Sequence, residues 1–66
     1  MKITLNGKEK ELSTNIQLKE TIEQFCQNSS RVIAEVNGEI IKANRWEEIS
    51  LKEGDKIELV NFVGGG

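Results

Sequence analysis

The sequence predicts an α+β fold, with one amphipathic helix on one face of a mixed sheet of four to five strands. Three observations carry that prediction. Two Asn-Gly pairs, Asn6-Gly7 and Asn37-Gly38, each follow a segment with apolar residues at alternate positions, and Asn-Gly is the strongest short-range hairpin signal. Between these turns lies a stretch whose apolar residues recur at helical spacing. A final apolar segment, Ile57 to Val63, runs straight into three glycines.

Lys2-Ile3-Thr4-Leu5 alternates with period two and meets Asn6-Gly7, so Lys8 to Leu12 reads as the return strand. A two-residue loop pairs Leu5 with Lys8 and Ile3 with Lys10, which puts Leu12 on the face of Ile3 and Leu5. The rest of that strand, Lys8 to Glu11, is charged and suits a sheet edge. Ser13-Thr14-Asn15 offers helix N-caps, and Thr14-x-x-Gln17 has capping-box spacing. The helix is expected over Ile16 to Gln27, with Leu18, Ile22, Phe25 and Cys26 forming one apolar stripe and Asn28 a left-handed C-cap.

Arg31 to Val36 is the third strand, with Val32, Ala34 and Val36 on one face and Ile33 and Glu35 on the other. After Asn37-Gly38 comes a short strand, Glu39 to Ile41. Lys42 to Ser50 is irregular with a helical turn anchored by Trp46, which is expected to cover one end of the core. Lys52 to Asp55 is a turn, and Lys56 to Val63 is the last strand. The last strand cannot join the first through a hairpin. Beside the first it must run parallel, in mid-sheet, with the helix and third strand as crossover. Two layers of this kind make a β-grasp fold, which sends the tail off the end of a central strand.

The chain has 66 residues, enough for one domain over 1–66 near the lower limit of a self-sufficient core. One cysteine and no histidine leave no intramolecular disulfide, no Cys/His zinc cluster and no histidine base. No GxxxxGK[ST] or GxGxxG loop is present to hold a nucleotide. The acid pairs Glu9/Glu11 and Glu47/Glu48 lie in polar, solvated stretches rather than in a carboxylate dyad. Eleven acids and nine bases give net charge −2 without a basic stripe, so nucleic acid is not an expected partner. The longest apolar run is too short for a membrane span and strand-like alternation begins at Lys2. A cytoplasmic protein is expected, whose chemistry needs a partner's machinery.

That chemistry points to the end of the chain. Gly64, Gly65 and Gly66 follow Val63. Glycine costs the most to order and has nothing to pack, but glycines can thread a narrow channel. Residues 63–66 are expected to form a mobile functional tail reaching roughly 13 Å when extended. By strand parity Val60, Phe62 and Ile33 point away from the helix. Together they would make an apolar patch beside the tail, the usual mark of an interface.

Length, strand order, Asn6-Gly7, Asn37-Gly38, Arg45-Trp46, Glu53-Gly54-Asp55 and the glycine terminus together resemble the ThiS family. These are the small ubiquitin-like β-grasp sulfur carriers of thiamine biosynthesis, in the MoaD/ThiS group. The resemblance covers the whole chain. Gly65-Gly66 stand where the family needs them, and Gly64 is an added third glycine.

The resemblance implies a reaction sequence. A carboxylate is ionised at neutral pH and accepts sulfur nucleophiles poorly. An E1-like, ThiF-like adenylyltransferase would use ATP and magnesium to adenylate Gly66. Sulfur from a donor such as a cysteine desulfurase would then replace AMP and leave a thiocarboxylate. That group would supply sulfur to a ThiG-like thiazole synthase. Gly64 and Gly65 would give access, and Ile33, Val60, Phe62 and Val63 would dock the partners. The chain would bind no cofactor of its own and would be a protein co-substrate rather than an enzyme. Cys26, in the apolar stripe, is expected in the core rather than as a sulfur relay. The alternatives are a molybdopterin-synthase small subunit (MoaD-like) or other thiocarboxylate carrier, whose members are usually longer, a ubiquitin-like modifier, and a non-covalent β-grasp binding module.

Overall fold

The computed structural model describes residues 1–26 and 31–61. Along them run β1 (Lys2–Leu5), β2 (Lys8–Glu11), α1 (Leu18–Phe25), β3 (Val32–Val36), β4 (Glu39–Ile41), a 3-10 helix (Ala43–Glu48) and β5 (Lys56–Asn61). The strands form one sheet in the order β2-β1-β5-β3-β4. β1 and β5 are parallel and the other neighbours antiparallel. β5 is therefore the middle strand, as the sequence predicts.

Both Asn-Gly pairs form the expected turns. Asn6 and Gly7 have φ of 49° and 80°, Asn37 and Gly38 of 53° and 86°. Positive φ at both central residues is the type I′ pattern, which matches the twist of the flanking strands. Leu5 pairs with Lys8 and Ile3 with Lys10, in the predicted register. Pairing continues past the ends of both strands. The Met1 ammonium donates to the Leu12 carbonyl at 2.7 Å, and the Leu12 amide donates to the Met1 carbonyl at 2.8 Å. Leu12 is thereby buried beside Ile3 and Leu5.

The helix is shorter than its sequence pattern, and its N-cap is Gln17 rather than Thr14. Thr14-Asn15 instead lies in a turn, with Asn15 at φ 66°. Tertiary pairing is the cause. The Leu51 amide donates to Ile16 O at 2.9 Å and the Leu18 amide to Ile49 O at 2.8 Å, with Gln17 bridged to Ser50. Residues 16–18 thus use backbone groups across the fold, and the helix starts only at Leu18. Glu20 Oε1 accepts from the Gln17 amide at 3.1 Å, so a capping box forms three residues later than expected. At the other end Cys26 is extended (φ −129°), so the helix stops at Phe25, short of Gln27. Asn28 lies outside the described residues.

The buried face of α1 is Leu18, Thr21 and Ile22. Thr21 is fully buried because its hydroxyl donates to Gln17 O at 3.0 Å, which satisfies its polar group inside the helix. Phe25 departs from the expected stripe. It lies at the rim, 39% exposed, with Lys10 Nζ 5.8 Å from its ring centroid. Cys26 is half-buried against the core. Trp46 covers the core as expected, buried, with Nε1 donating to Ile41 O at 2.9 Å. Ile3, Leu5, Ala34, Ile41, Ile57 and Leu59 supply the sheet side. No described helix is long and apolar enough to cross a membrane.

Candidate functional site: the exit strand and the outer sheet face

β5 is the last described element, and Phe62, Val63, Gly64, Gly65 and Gly66 lie outside the described residues. Its two flanks are held differently. β3 pairs with it from Val36↔Ile57 to Val32↔Asn61. β1 pairs only through Thr4↔Lys56 and Leu5↔Ile57, because the chain turns back at Asn6. The last backbone link on that side is the Asn6 amide donating to Ile57 O at 2.9 Å.

Side chains continue what the β1 backbone leaves unfinished. Asn6 Oδ1 accepts from the Leu59 amide at 2.8 Å, and Asn6 Nδ2 donates to Leu59 O at 3.2 Å. The Asn of the other turn holds the opposite end of β5. Asn37 Oδ1 accepts from the Lys56 amide at 2.9 Å, and Asn37 Nδ2 donates to Asp55 Oδ1 at 3.0 Å. The sequence marks both asparagines as turn residues and gives no sign of these second roles.

The alternation of β5 divides its side chains as predicted. Ile57 and Leu59 are buried toward the helix and Val60 is 53% exposed on the outer face. Val60 and Ile33 are direct cross-strand partners, and Ile33 is 40% exposed. Two of the three residues of the expected patch are thus brought together on adjacent strands, and the third, Phe62, lies outside the described residues. Ile40, 62% exposed, joins this face and was not singled out by sequence reasoning. The signal was available: a two-residue loop at Asn37-Gly38 pairs Val36 with Glu39, hence Ala34 with Ile41 and Glu35 with Ile40. With Ala34 inward, Ile40 faces out. Glu35 also opposes Glu58, so a like-charged row lies next to the apolar pair. Among the described residues no three His, Cys, Asp or Glu side chains are grouped to hold a metal ion.

Comparison with known proteins gives a consistent family. The family model described as the ThiS family matches residues 3–66. The sulfur carrier protein ThiS of Bacillus subtilis (strain 168) is 35% identical over 65 residues, covering 97% of this chain and 98% of that protein. A thiazole synthase of Paramagnetospirillum magneticum is 32% identical over all 66 residues, and the chain spans only 20% of that protein's length. The crystal structure of the thiamine biosynthesis protein ThiS from Geobacter metallireducens superposes with a TM-score of 0.86 at 28% identity, over the whole of both chains. With the family model spanning all but the first two residues and a β-grasp sheet of the same architecture, the chain belongs to the ThiS family.

Proposed function

We propose that this ThiS-family chain is a sulfur carrier for thiamine biosynthesis, with the carboxylate of Gly66 as the group that is modified. The observation that carries the reading is the match to a sulfur carrier over 98% of that protein's length, in a family whose model extends through Gly66. The carboxylate is ionised at neutral pH and resists attack by a sulfur nucleophile. An E1-like adenylyltransferase removes that resistance by transferring AMP from ATP, with magnesium, to the carboxylate oxygen. The terminal sulfur of a persulfide on a cysteine desulfurase or similar donor then displaces AMP to give an acyl disulfide. A thiol reductant cleaves its S–S bond, and the resulting thiocarboxylate gives its sulfur to a thiazole synthase. The chain is the substrate in each step, in the cytoplasm, and needs no cofactor of its own.

Docking falls to the outer face of the sheet. Ile33 and Val60 are exposed cross-strand partners, and an exposed apolar pair beside a reactive terminus suits a partner surface. Phe62 and Val63, which lie outside the described residues, are assigned to the same docking role on sequence alone, and Gly64 and Gly65 to giving the carboxylate access. Likeness to one segment of a thiazole synthase supports a functional link to that enzyme class.

Intact-mass analysis after incubation with ATP, magnesium, the cognate E1-like enzyme and a sulfur source tests the reading. A gain of one sulfur for one oxygen on the free chain is expected. Conjugates with other proteins would indicate a modifier, and an unchanged mass would defeat the carrier assignment.

A further inference from the structure

The Asn6 carboxamide stands where the next peptide group of β1 would be if the strand continued. In a parallel ladder a residue of one strand exchanges its amide and carbonyl with residues two apart on its neighbour. β1 follows that pattern with the Thr4 amide to Asp55 O and the Asn6 amide to Ile57 O, both at 2.9 Å. Leu59 is next in the series, but the Asn6 backbone turns away at φ 49°. Its side chain then offers one acceptor and one donor, and Leu59 takes both. Without them Leu59, only 8% exposed, would keep an unpaired amide and carbonyl on that flank. Such groups are costly to bury, and the strand would loosen to reach water.

We propose that Asn6 is a positioning residue for the reactive terminus: its carboxamide pairs the β1 flank of β5 at Leu59 and so holds the strand that leads to the terminus where the β1 backbone has already turned away. The inference rests on the sulfur-carrier reading for its functional consequence, and on geometry alone for the clamp. Order absent from the exit strand must be supplied when the carrier docks, so its loss appears in KM for the carrier rather than in kcat.

Asn37 provides an internal control. It has the same residue type, the same turn and a similar clamp, but at Lys56, about 13 Å of strand before Val60. Asn6→Gly and Asn37→Gly both keep a residue suited to positive φ while removing the carboxamide. Three readouts apply to each: amide exchange at Leu59 against Val60, backbone order parameters at Val60 and Asn61, and adenylation kinetics with the E1-like enzyme. For Asn6→Gly, Leu59 exchange is expected to rise about tenfold relative to Val60. Order at Asn61 should fall, and KM should rise by a similar factor. Asn37→Gly should leave the last two readouts at the level of the unaltered chain. Equal effects of the two variants on KM would overturn the positioning role, as would unchanged exchange at Leu59 in Asn6→Gly. Should Asn6→Gly fail to fold, Asn6→Asp keeps the turn and the acceptor but loses the donor to Leu59 O, and the same comparison holds. If the unaltered chain is not adenylated, the carrier reading fails, and exchange and order parameters still decide whether Asn6 holds the β1 flank of the strand.

Discussion

Replacing Val60 with lysine separates docking from folding, because the outer face responds to that change in opposite ways. On the folded chain, the introduced ammonium would sit two residues from Glu58 on the same face and diagonal to Glu35, since Val60 opposes Ile33 and Glu58 opposes Glu35. Opposite charges across a sheet contribute roughly 0.2–1 kcal/mol, so the variant should be as stable as the parent or slightly more. Docking loses more than this. Val60 keeps 53% of its surface exposed, so a partner can still bury about half of a side chain whose full burial is worth roughly 1.5–3 kcal/mol. That is about 1 kcal/mol. An ammonium group left in the same apolar contact adds at least the roughly 1–3 kcal/mol that an unpaired neutral polar group costs there. The sum, about 2–4 kcal/mol, corresponds to a weakening on the order of 30- to 1,000-fold. The assay is adenylation kinetics with the E1-like enzyme at varied carrier concentration, alongside urea unfolding. A stable variant with an unchanged KM would refute the assignment of Ile33 and Val60 to docking.

Two further predictions concern the core. Ile57 is fully buried in the middle strand, and Ile57→Ala should cost about 2–5 kcal/mol against a total stability of roughly 3–10 kcal/mol for a fold of this size. A urea midpoint lowered by at least about a fifth is expected, and a loss below about 1 kcal/mol would mean that the core is less tightly filled than its burial indicates. Cys26 is half-buried against the core, so Cys26→Ala should cost about 1 kcal/mol and leave the rate of sulfur transfer to Gly66 unchanged. A sulfur-transfer rate that collapses in a folded Cys26→Ala chain would make the thiol a relay.

How much of this was legible in the sequence depended on how local the deciding interaction is. Asn6-Gly7 and Asn37-Gly38 determine their own turns, so the register at Leu5↔Lys8 and the facing of Ile33 and Val60 were accessible from sequence. The helix start was not. Thr14 and Gln17 have capping-box spacing, yet Ile16 to Leu18 pair with Ile49 to Leu51, and no local pattern announces a partner more than thirty residues away. Phe25 fits the apolar stripe by spacing but falls at the sheet's end, over Lys10. Thr21 is invisible to an apolar count because its polar group is satisfied by its own helix. Phe62 through Gly66, the residues on which the functional reading leans most, lie outside the described residues, and their assignment rests on sequence and family.

The double use of the two asparagines bears on why so small a chain holds its exit strand firmly. A type I′ turn favours Asn at its first central position because Asn tolerates positive φ, and that requirement alone accounts for Asn6 and Asn37. Neither carboxamide is needed for the turn, so each is free to bond elsewhere. Both bond to β5, one at Lys56 and one at Leu59. Sheet topology explains the coincidence: β5 lies between β1 and β3, so the turns that end those two strands flank it at opposite ends. A glycine at either turn would satisfy the backbone equally well and remove that turn's side-chain bond to β5. The asparagine side chains therefore serve the strand between the hairpins, and Asn6 serves the end of it from which the tail departs.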